Sequence, residues 1–145
     1  MREADIQRAV YEFVKTVAPN VFIYAIPNAA VRRPGGRAGN AVPGLTAGIP
    51  DLGLVLPDGR AAFWEIKTDK GVMSDAQLDI AIQMADRRIP YGVVRSISQA
   101  RGWLRAWGVQ TREASPSPIS TGPQDGAAGL STETILRPVS KTPVA

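Results

Sequence analysis

Two short apolar segments joined by a tight turn constrain how this chain can fold more than any other feature. Residues 51–56 and 61–67 are both of strand length, and Pro-Asp-Gly-Arg at residues 57–60 separates them. An Asp-Gly pair between two apolar runs favours a β-hairpin, because these residues tolerate the positive φ angles of a tight turn. The sequence therefore predicts an antiparallel pair of strands near the middle of the chain.

Helical and strand-like patterns flank this hairpin. Residues 3–17 show helical spacing of apolar side chains, namely Ile6, Val10, Phe13, Val14 and Val17. Helices are also predicted at residues 74–88 and 98–107, and strands at residues 21–26 and 91–95. The order is helix, strand, loop, hairpin, helix, strand, helix. It predicts a small α/β sandwich with a central mixed β-sheet.

The two later helices carry specific burial expectations. In the helix at residues 74–88, Ser74 is a predicted N-cap, and Leu78, Ile82 and either Ala85 or Met84 are expected to form the buried stripe. In the last helix, Trp103 and Trp107 are four residues apart. That spacing favours a place in the core over a role in stacking on nucleobases.

Two segments lack regular patterning. Residues 27–48 are rich in Gly, Pro, Asn and Ala, and a loop of this length in a compact domain is either functional or a solvated, flexible insertion. Residues 111–145 are dominated by Ser, Thr, Pro and Gly, so we expect a disordered tail. The interpretation is one domain at residues 1–110 followed by this tail.

The composition restricts the chemistry. The 145 residues include no cysteine and no histidine, which excludes disulfides, thiolate or imidazole metal sites and a histidine base. A metal ion would need oxygen ligands, which favours Mg²⁺ or Mn²⁺. No apolar run approaches the ~20 residues that span a bilayer, so no membrane partner is expected. The net charge of +4 lies within residues 1–110, which carry 14 basic and 10 acidic residues.

Three charged residues on the hairpin form the informative constellation. Asp51 begins the first strand, and Glu65 and Lys67 lie on the second, where alternation places both on one face. Folding at the Asp-Gly turn brings Asp51 roughly opposite Glu65, within one residue of register. Two neighbouring carboxylates repel each other unless a cation lies between them.

These three residues suit phosphodiester hydrolysis. A divalent ion between the carboxylates would act as a Lewis acid on a phosphoryl oxygen and lower the pKa of a bound water. Lys67 could orient that water or stabilise charge that develops in the transition state. The alternative is that Glu65 and Lys67 form an exposed ion pair of little energetic weight.

Five short motifs together resemble the VRR-NUC family, a branch of the PD-(D/E)XK nucleases. In chain order they are Glu3-x-x-x-Gln7, Ile26-Pro27-Asn28, Gly48-Ile49-Pro50-Asp51, Glu65-Ile66-Lys67 and Met73-Ser74-x-x-Gln77. Each motif is short, but their order and spacing match a minimal stand-alone member over residues 3–108. The resemblance implies a restriction-endonuclease-like α/β/α sandwich.

The resemblance also implies roles for individual residues. Asp51 and Glu65 would be ligands of Mg²⁺ or Mn²⁺, Lys67 the catalytic lysine, and Glu3 a further metal ligand, directly or through water. Gln77 would support the catalytic lysine. Two alternatives remain open: Glu3 as a solvated acid favoured by the helix dipole, and Gln77 as an ordinary residue of the first helical turn.

Nucleic-acid contacts are expected from the loop and its surroundings. Arg32, Arg33 and Arg37 on a glycine-rich backbone can reach phosphates, and Lys70 would extend that surface. Asn28 would contact the substrate or cap the end of the first strand. No base-reading helix or zinc finger is present in the sequence, so recognition of DNA shape is expected.

The resulting hypothesis is a metal-dependent DNA endonuclease that acts on branched DNA, such as a Holliday junction. By analogy with the family it would work as a homodimer in a phage or bacterial setting, and the lack of targeting signals in the sequence favours the cytoplasm. The first alternative is a non-catalytic nucleic-acid-binding module that retains the nuclease fold. The second is an adaptor protein recruited through the tail.

Overall fold

The structure, a computed structural model, describes residues 1–27 and 43–113. Within them it contains three helices and four strands: α1 (Glu3–Val17), β1 (Phe22–Ala25), β2 (Leu52–Val55), β3 (Ala61–Ile66), α2 (Asp75–Asp86), β4 (Tyr91–Val94) and α3 (Ile97–Ala106). Each element ends within two residues of its predicted limits. The mixed α/β class is confirmed.

The four strands form one mixed sheet in the order β1-β2-β3-β4. β1 and β2 are antiparallel, β2 and β3 form the predicted hairpin, and β4 is parallel to β3. At the hairpin turn, Gly59 has a φ of 90°, a conformation that glycine adopts without strain. α2 makes the crossover that a parallel β3–β4 pair requires.

One face of the sheet carries the main core. Helices α1 and α3 lie on it, and their apolar stripes pack on alternate strand residues such as Leu54, Trp64 and Ile66. The indole of Trp107 stacks on that of Trp64 with ring centroids 5.8 Å apart. Trp103 donates a hydrogen bond of 3.1 Å from Nε1 to the backbone carbonyl of Val93. Both tryptophans are buried, which confirms their predicted place in the core.

Among residues 1–27 and 43–113, the opposite face is covered only over β3 and β4. There α2 packs through Ala81 on Tyr91 and Val93, with Phe63, Met73 and Met84 partly buried around them. The predicted buried stripe of α2 was therefore wrong in its main members. Leu78 is 43% and Ile82 57% exposed, and the adjacent pair Ile80 and Ala81 is buried instead. Ala85 is also exposed, whereas Met84 is partly buried.

The physical reason lies in the helix itself. Apolar residues lie on two of its sides, so spacing alone does not select between them. The small Ala81 allows a close approach to Tyr91, and that contact decides which side faces the sheet. The prediction that Ser74 is the N-cap is confirmed, because its hydroxyl accepts a hydrogen bond from the backbone N–H of Gln77.

The packed part of the chain continues past the expected boundary at residue 110. The backbone N–H of Arg112 donates to the carbonyl of Val17, and Glu113 forms an ion pair of 2.6 Å with Arg101. The tail predicted to be disordered otherwise lies outside the described residues. Across residues 1–27 and 43–113, every helix is too short or too polar to cross a lipid bilayer.

Candidate active site

The register of the β2–β3 hairpin brings Asp51 beside Glu65. Leu52 pairs with Trp64, and the same register places Asp51 opposite Glu65. The two carboxyl groups lie close enough to interact directly. The structure thus brings together the two acids that the Asp-Gly turn predicted, in the register that sequence alone left open by one residue.

A local feature fixes the orientation of Asp51. Its Oδ2 accepts a hydrogen bond of 2.8 Å from the backbone N–H of Ile66. In this register Ile66 lies opposite Pro50, which has no N–H to donate to the carbonyl of Ile66, so the regular ladder stops at this pair. The carboxylate of Asp51 satisfies the strand N–H at this interruption. The Pro-Asp pair thus lies at the start of β2 and directs the Asp51 carboxylate to the backbone of β3.

Glu65 is the most unusual residue of the site because it is only 2% exposed. Burial, together with the negative charge of Asp51, raises the pKa of Glu65 to about 8. Its Oε1 accepts a hydrogen bond of 2.5 Å from Nε2 of Gln77. Burial also raises the pKa of Asp51, and the negative charge of Glu3 adds to that effect. In this geometry the site favours either a proton or an added cation on its carboxylates.

Lys67 supplies the positive charge of the site. It is 7% exposed, and its Nζ lies 3.5 Å from Oε1 of Glu65 and 3.6 Å from Oε1 of Glu3. Glu3 stands in the first turn of α1, where the helix dipole favours an acid. The ammonium therefore bridges the strand carboxylate and the helix carboxylate. The exposed, weak ion pair considered from the sequence does not describe this lysine.

The amide of Gln77 is held in one orientation by the start of α2. Its Oε1 accepts a hydrogen bond of 2.9 Å from the backbone N–H of Ser74, and Ser74 Oγ accepts one of 3.2 Å from the backbone N–H of Gln77. This reciprocal pair is a capping box. With the amide oxygen engaged, the amide NH₂ must face Glu65. Gln77 is therefore a partner of Glu65 and not an ordinary first-turn residue.

The carboxylate oxygens of the site decide whether a metal ion would fit there. Among the described residues, no three His, Cys, Asp or Glu side chains are grouped to hold a metal ion. Asp51 and Glu65 form a pair, while Glu3 contacts Lys67. However, Oε2 of Glu65 is buried and has no hydrogen-bond partner within the described part of the chain. An unpartnered buried carboxylate oxygen beside a second carboxylate is a donor set that suits a hard cation.

A second buried polar atom lies near this pair. Tyr91 is 1% exposed, and in the described residues its hydroxyl has no hydrogen-bond partner. Burial raises the pKa of this phenol, and the negative charges of Glu65 and Asp51 raise it further. The hydroxyl is therefore protonated at neutral pH.

Of the residues predicted to bind nucleic acid, only one lies in the described part of the chain. Asn28, Arg32, Arg33 and Arg37 lie outside the described residues. Lys70 is exposed in the turn that directly follows Lys67. The guanidinium of Arg95 holds this turn, since its Nη1 donates to the carbonyls of Thr68 at 2.5 Å and Gly71 at 2.8 Å.

Compared with models of known protein families, with curated proteins and with solved structures, the chain has no significant match. The resemblance to the VRR-NUC family therefore stays a prediction that depends on five motifs.

Sequence reasoning missed two supporting residues of the site. Ser74 was identified as a cap, but its reciprocal bond with Gln77 was not, although Ser-x-x-Gln is a recognisable capping-box sequence. Arg95 had no local signal, because its partners are backbone carbonyls more than 20 residues away in sequence.

Proposed function

We propose that this chain is a divalent-metal-dependent nuclease that hydrolyses phosphodiester bonds in DNA. The observation that carries the proposal is the buried Glu65 beside the partly buried Asp51, with the ammonium of Lys67 at 3.5 Å from Glu65. Burying a glutamate and a lysine beside a second, partly buried acid is costly in folding free energy, and residues with strongly shifted pKa values concentrate at functional sites. A purely structural role does not need a carboxylate with an unpartnered buried oxygen.

We further propose that the fold is the restriction-endonuclease-like α/β/α sandwich. Helices on both faces of a mixed sheet, with α2 as the crossover between β3 and β4, support it. The hairpin supplies the acids, and α2 supplies the glutamine. This arrangement is consistent with the order of the five motifs along the chain.

Asp51 and Glu65 would hold the metal ion, with Glu3 approaching from α1. Mg²⁺ or Mn²⁺ bound there would act as a Lewis acid and lower the pKa of a bound water. The chain's own residues perform the remaining tasks. Gln77 orients Glu65 through its fixed amide. Lys67 lies where its positive charge can stabilise the negative charge that develops on a phosphate during hydrolysis.

DNA as the substrate is supported by the net positive charge of residues 1–110 and by the exposed Lys70 beside the site. Selectivity for branched DNA and action as a homodimer in the cytoplasm of a phage host or bacterium are parts of the proposal taken from the family resemblance. A single small domain offers little surface to span a junction, which favours a symmetric dimer.

The test is cleavage of a labelled four-way junction, a flap and a linear duplex with Mg²⁺ or Mn²⁺ and with EDTA. Lys67→Ala should lower the cleavage rate by about 10²–10³-fold, the usual effect of removing a group that stabilises the transition state. The matched control is Lys15→Ala, which removes an exposed lysine from the end of α1. Cutting that depends on metal and on Lys67 would support the nuclease.

Two other outcomes contradict the proposal in different ways. Salt-sensitive DNA binding with no cutting in any metal would favour the non-catalytic binding module. Equal activity of Lys67→Ala and Lys15→Ala would show that the observed cutting does not come from this site.

A further inference from the structure

A group of exposed aromatic and apolar side chains lies on the same face of the sheet as the candidate active site. Strand alternation and register place Phe22, Tyr24, Val55 and Asp51 on this face. Within the described residues α2 covers β3 and β4 but not β1 and β2. Phe22 is 66% exposed, Val55 39% and Tyr24 37%. We call Phe22 and Tyr24 the aromatic platform.

The position of Tyr24 depends on a glycine. Tyr24 pairs with Gly53 on the neighbouring strand, and a Cβ at residue 53 would collide with the phenol ring of Tyr24. The ring therefore lies across β2, in the space that the side chain of residue 53 would fill. One side of the ring rests on backbone, while part of its surface remains open to solvent.

This placement brings the platform next to the acids. Gly53 follows Asp51 by two residues, a distance of about 7 Å along an antiparallel strand. Phe22 lies two residue pairs further away, and its ring contacts that of Tyr24 with centroids 5.6 Å apart and an angle of 34° between the planes. Since stacked nucleotides rise by about 3.4 Å each, 7 Å corresponds to roughly two nucleotides.

We propose that the aromatic platform stacks unpaired nucleobases of the strand whose phosphate lies at Asp51 and Glu65. This inference rests on the proposed nuclease function and adds the substrate class, namely DNA with unpaired bases next to the scissile phosphate. Exposed aromatic rings on an open sheet bind single-stranded nucleic acid because every base presents a π-face. A fully paired duplex cannot offer its bases to a flat surface in this way.

A second copy of this chain fits the platform less well. The three exposed side chains provide roughly 200–300 Å² of surface, whereas a specific interface needs about 800 Å² from each partner. A nucleobase is flat and similar in size to an aromatic side chain, so the two rings of the platform are large enough to stack on it.

The experiment uses the full chain and a fluorescent base analogue, 2-aminopurine, in an unpaired stretch two nucleotides from a duplex end. Binding is measured in Ca²⁺, and gel analysis confirms that the oligonucleotide stays intact. Stacking should quench the fluorescence. Replacing the unpaired bases with abasic nucleotides should weaken binding by about 5- to 100-fold, the effect typical of losing one stacked base.

Variants separate the π-face from simple apolar contact. Phe22→Leu and Tyr24→Leu keep an apolar side chain but remove the ring, so both should lose the quenching and the preference for unpaired bases. Tyr24→Phe should keep both. The matched control is Ile82→Ala, which removes an exposed apolar side chain from α2. Since Phe22 is largely exposed, its variant is expected to fold even if Tyr24→Leu does not.

The outcomes distinguish the platform from the nuclease. Unchanged affinity in Phe22→Leu, with abasic DNA bound as well as normal DNA, would overturn the platform while cleavage by the wild type still supported the nuclease. Base-dependent quenching without any cleavage would support the platform and contradict the enzyme. A dimer that dissociates in Phe22→Leu, measured by analytical ultracentrifugation, would show that the rings serve self-association and would overturn the inference.

Discussion

The buried carboxylate of Glu65 makes the stability of the metal-free protein depend on pH. Its pKa is about 8 in the folded chain, against a reference value of 4.5. Between these two values the unfolded chain has released a proton that the folded chain keeps. The free energy of unfolding therefore falls as pH rises through this window. At about 1.4 kcal/mol per pKa unit, the loss by pH 8 is on the order of 5 kcal/mol.

Glu65→Gln tests this reasoning directly. Glutamine has nearly the same shape and can still accept the hydrogen bond from Gln77, but it carries no charge at any pH. The variant should match the wild type near pH 5 and exceed its unfolding free energy by several kcal/mol near pH 8.5, since the burial of the charge is avoided. The loss expected in the wild type between pH 5 and pH 8 is a large share of the ~5–15 kcal/mol that ordinarily stabilises a domain, so it should be easy to measure.

The assay is urea unfolding in EDTA at several pH values, followed by the fluorescence of the buried Trp64, Trp103 and Trp107. Glu12→Gln, which removes an exposed acid from α1, is the control. Adding Mg²⁺ at pH 8 should raise the unfolding free energy of the wild type but not that of Glu65→Gln. The variant should also be unable to cleave DNA. Parallel loss of stability with rising pH in the wild type and in Glu65→Gln would refute the argument.

Three further substitutions have defined expectations in urea unfolding. Ser74→Ala should cost about 1 kcal/mol through loss of the bond that the Ser74 hydroxyl accepts from the backbone N–H of Gln77. It should leave the cleavage rate nearly unchanged, because the backbone N–H of residue 74 still donates to the Gln77 amide oxygen; a large loss of cleavage would contradict that account. Gly48→Ala should lower the free energy of unfolding by more than the ~1–2 kcal/mol that a left-handed backbone alone costs, because a Cβ at residue 48 would collide with the backbone of α2. Gly44→Ala is the control: Gly44 has a similar φ but open space around it, so this variant measures the backbone cost by itself. Tyr91→Phe should leave stability unchanged or raise it by about 1 kcal/mol, because it removes a buried hydroxyl that has no partner among the described residues. A clear loss of stability would contradict this and reveal a hydrogen bond of the hydroxyl, for example to water.

Much of the fold followed from local sequence signals. The Asp-Gly turn, the helical spacing of Ile6, Val10 and Val14, and the cap at Ser74 each depend on residues within a few positions of one another. Such signals act through backbone geometry and side-chain period, so they can be read without the tertiary structure. Every predicted helix and strand is present for this reason.

The side of α2 that faces the sheet was not determined locally. Leu78 and Ile82 are four residues apart and lie on one side of the helix, while Ile80 and Ala81 lie with Met84 on another, so helical spacing allows either side to be buried. Only the shape of the neighbouring strand surface, where Tyr91 fills the space beside a small residue, selects the second pair. The supporting contact of Arg95 with the turn at Thr68 likewise joins segments that are distant in sequence.

By itself, the sequence determined the order of elements and the chemical identity of the site. A strand with Glu65 and Lys67 two residues apart, across a tight turn from Asp51, places three charges at one sheet edge because strand period and turn length are local properties. The tertiary structure decided what those charges experience. Burial raises the pKa of Glu65, Gln77 reaches Glu65 from α2, and Glu3 reaches Lys67 from α1. Tyr24 and Phe22 stay partly exposed, and none of the described helices covers them. Solvent exclusion of this kind depends on elements that meet only in the folded chain.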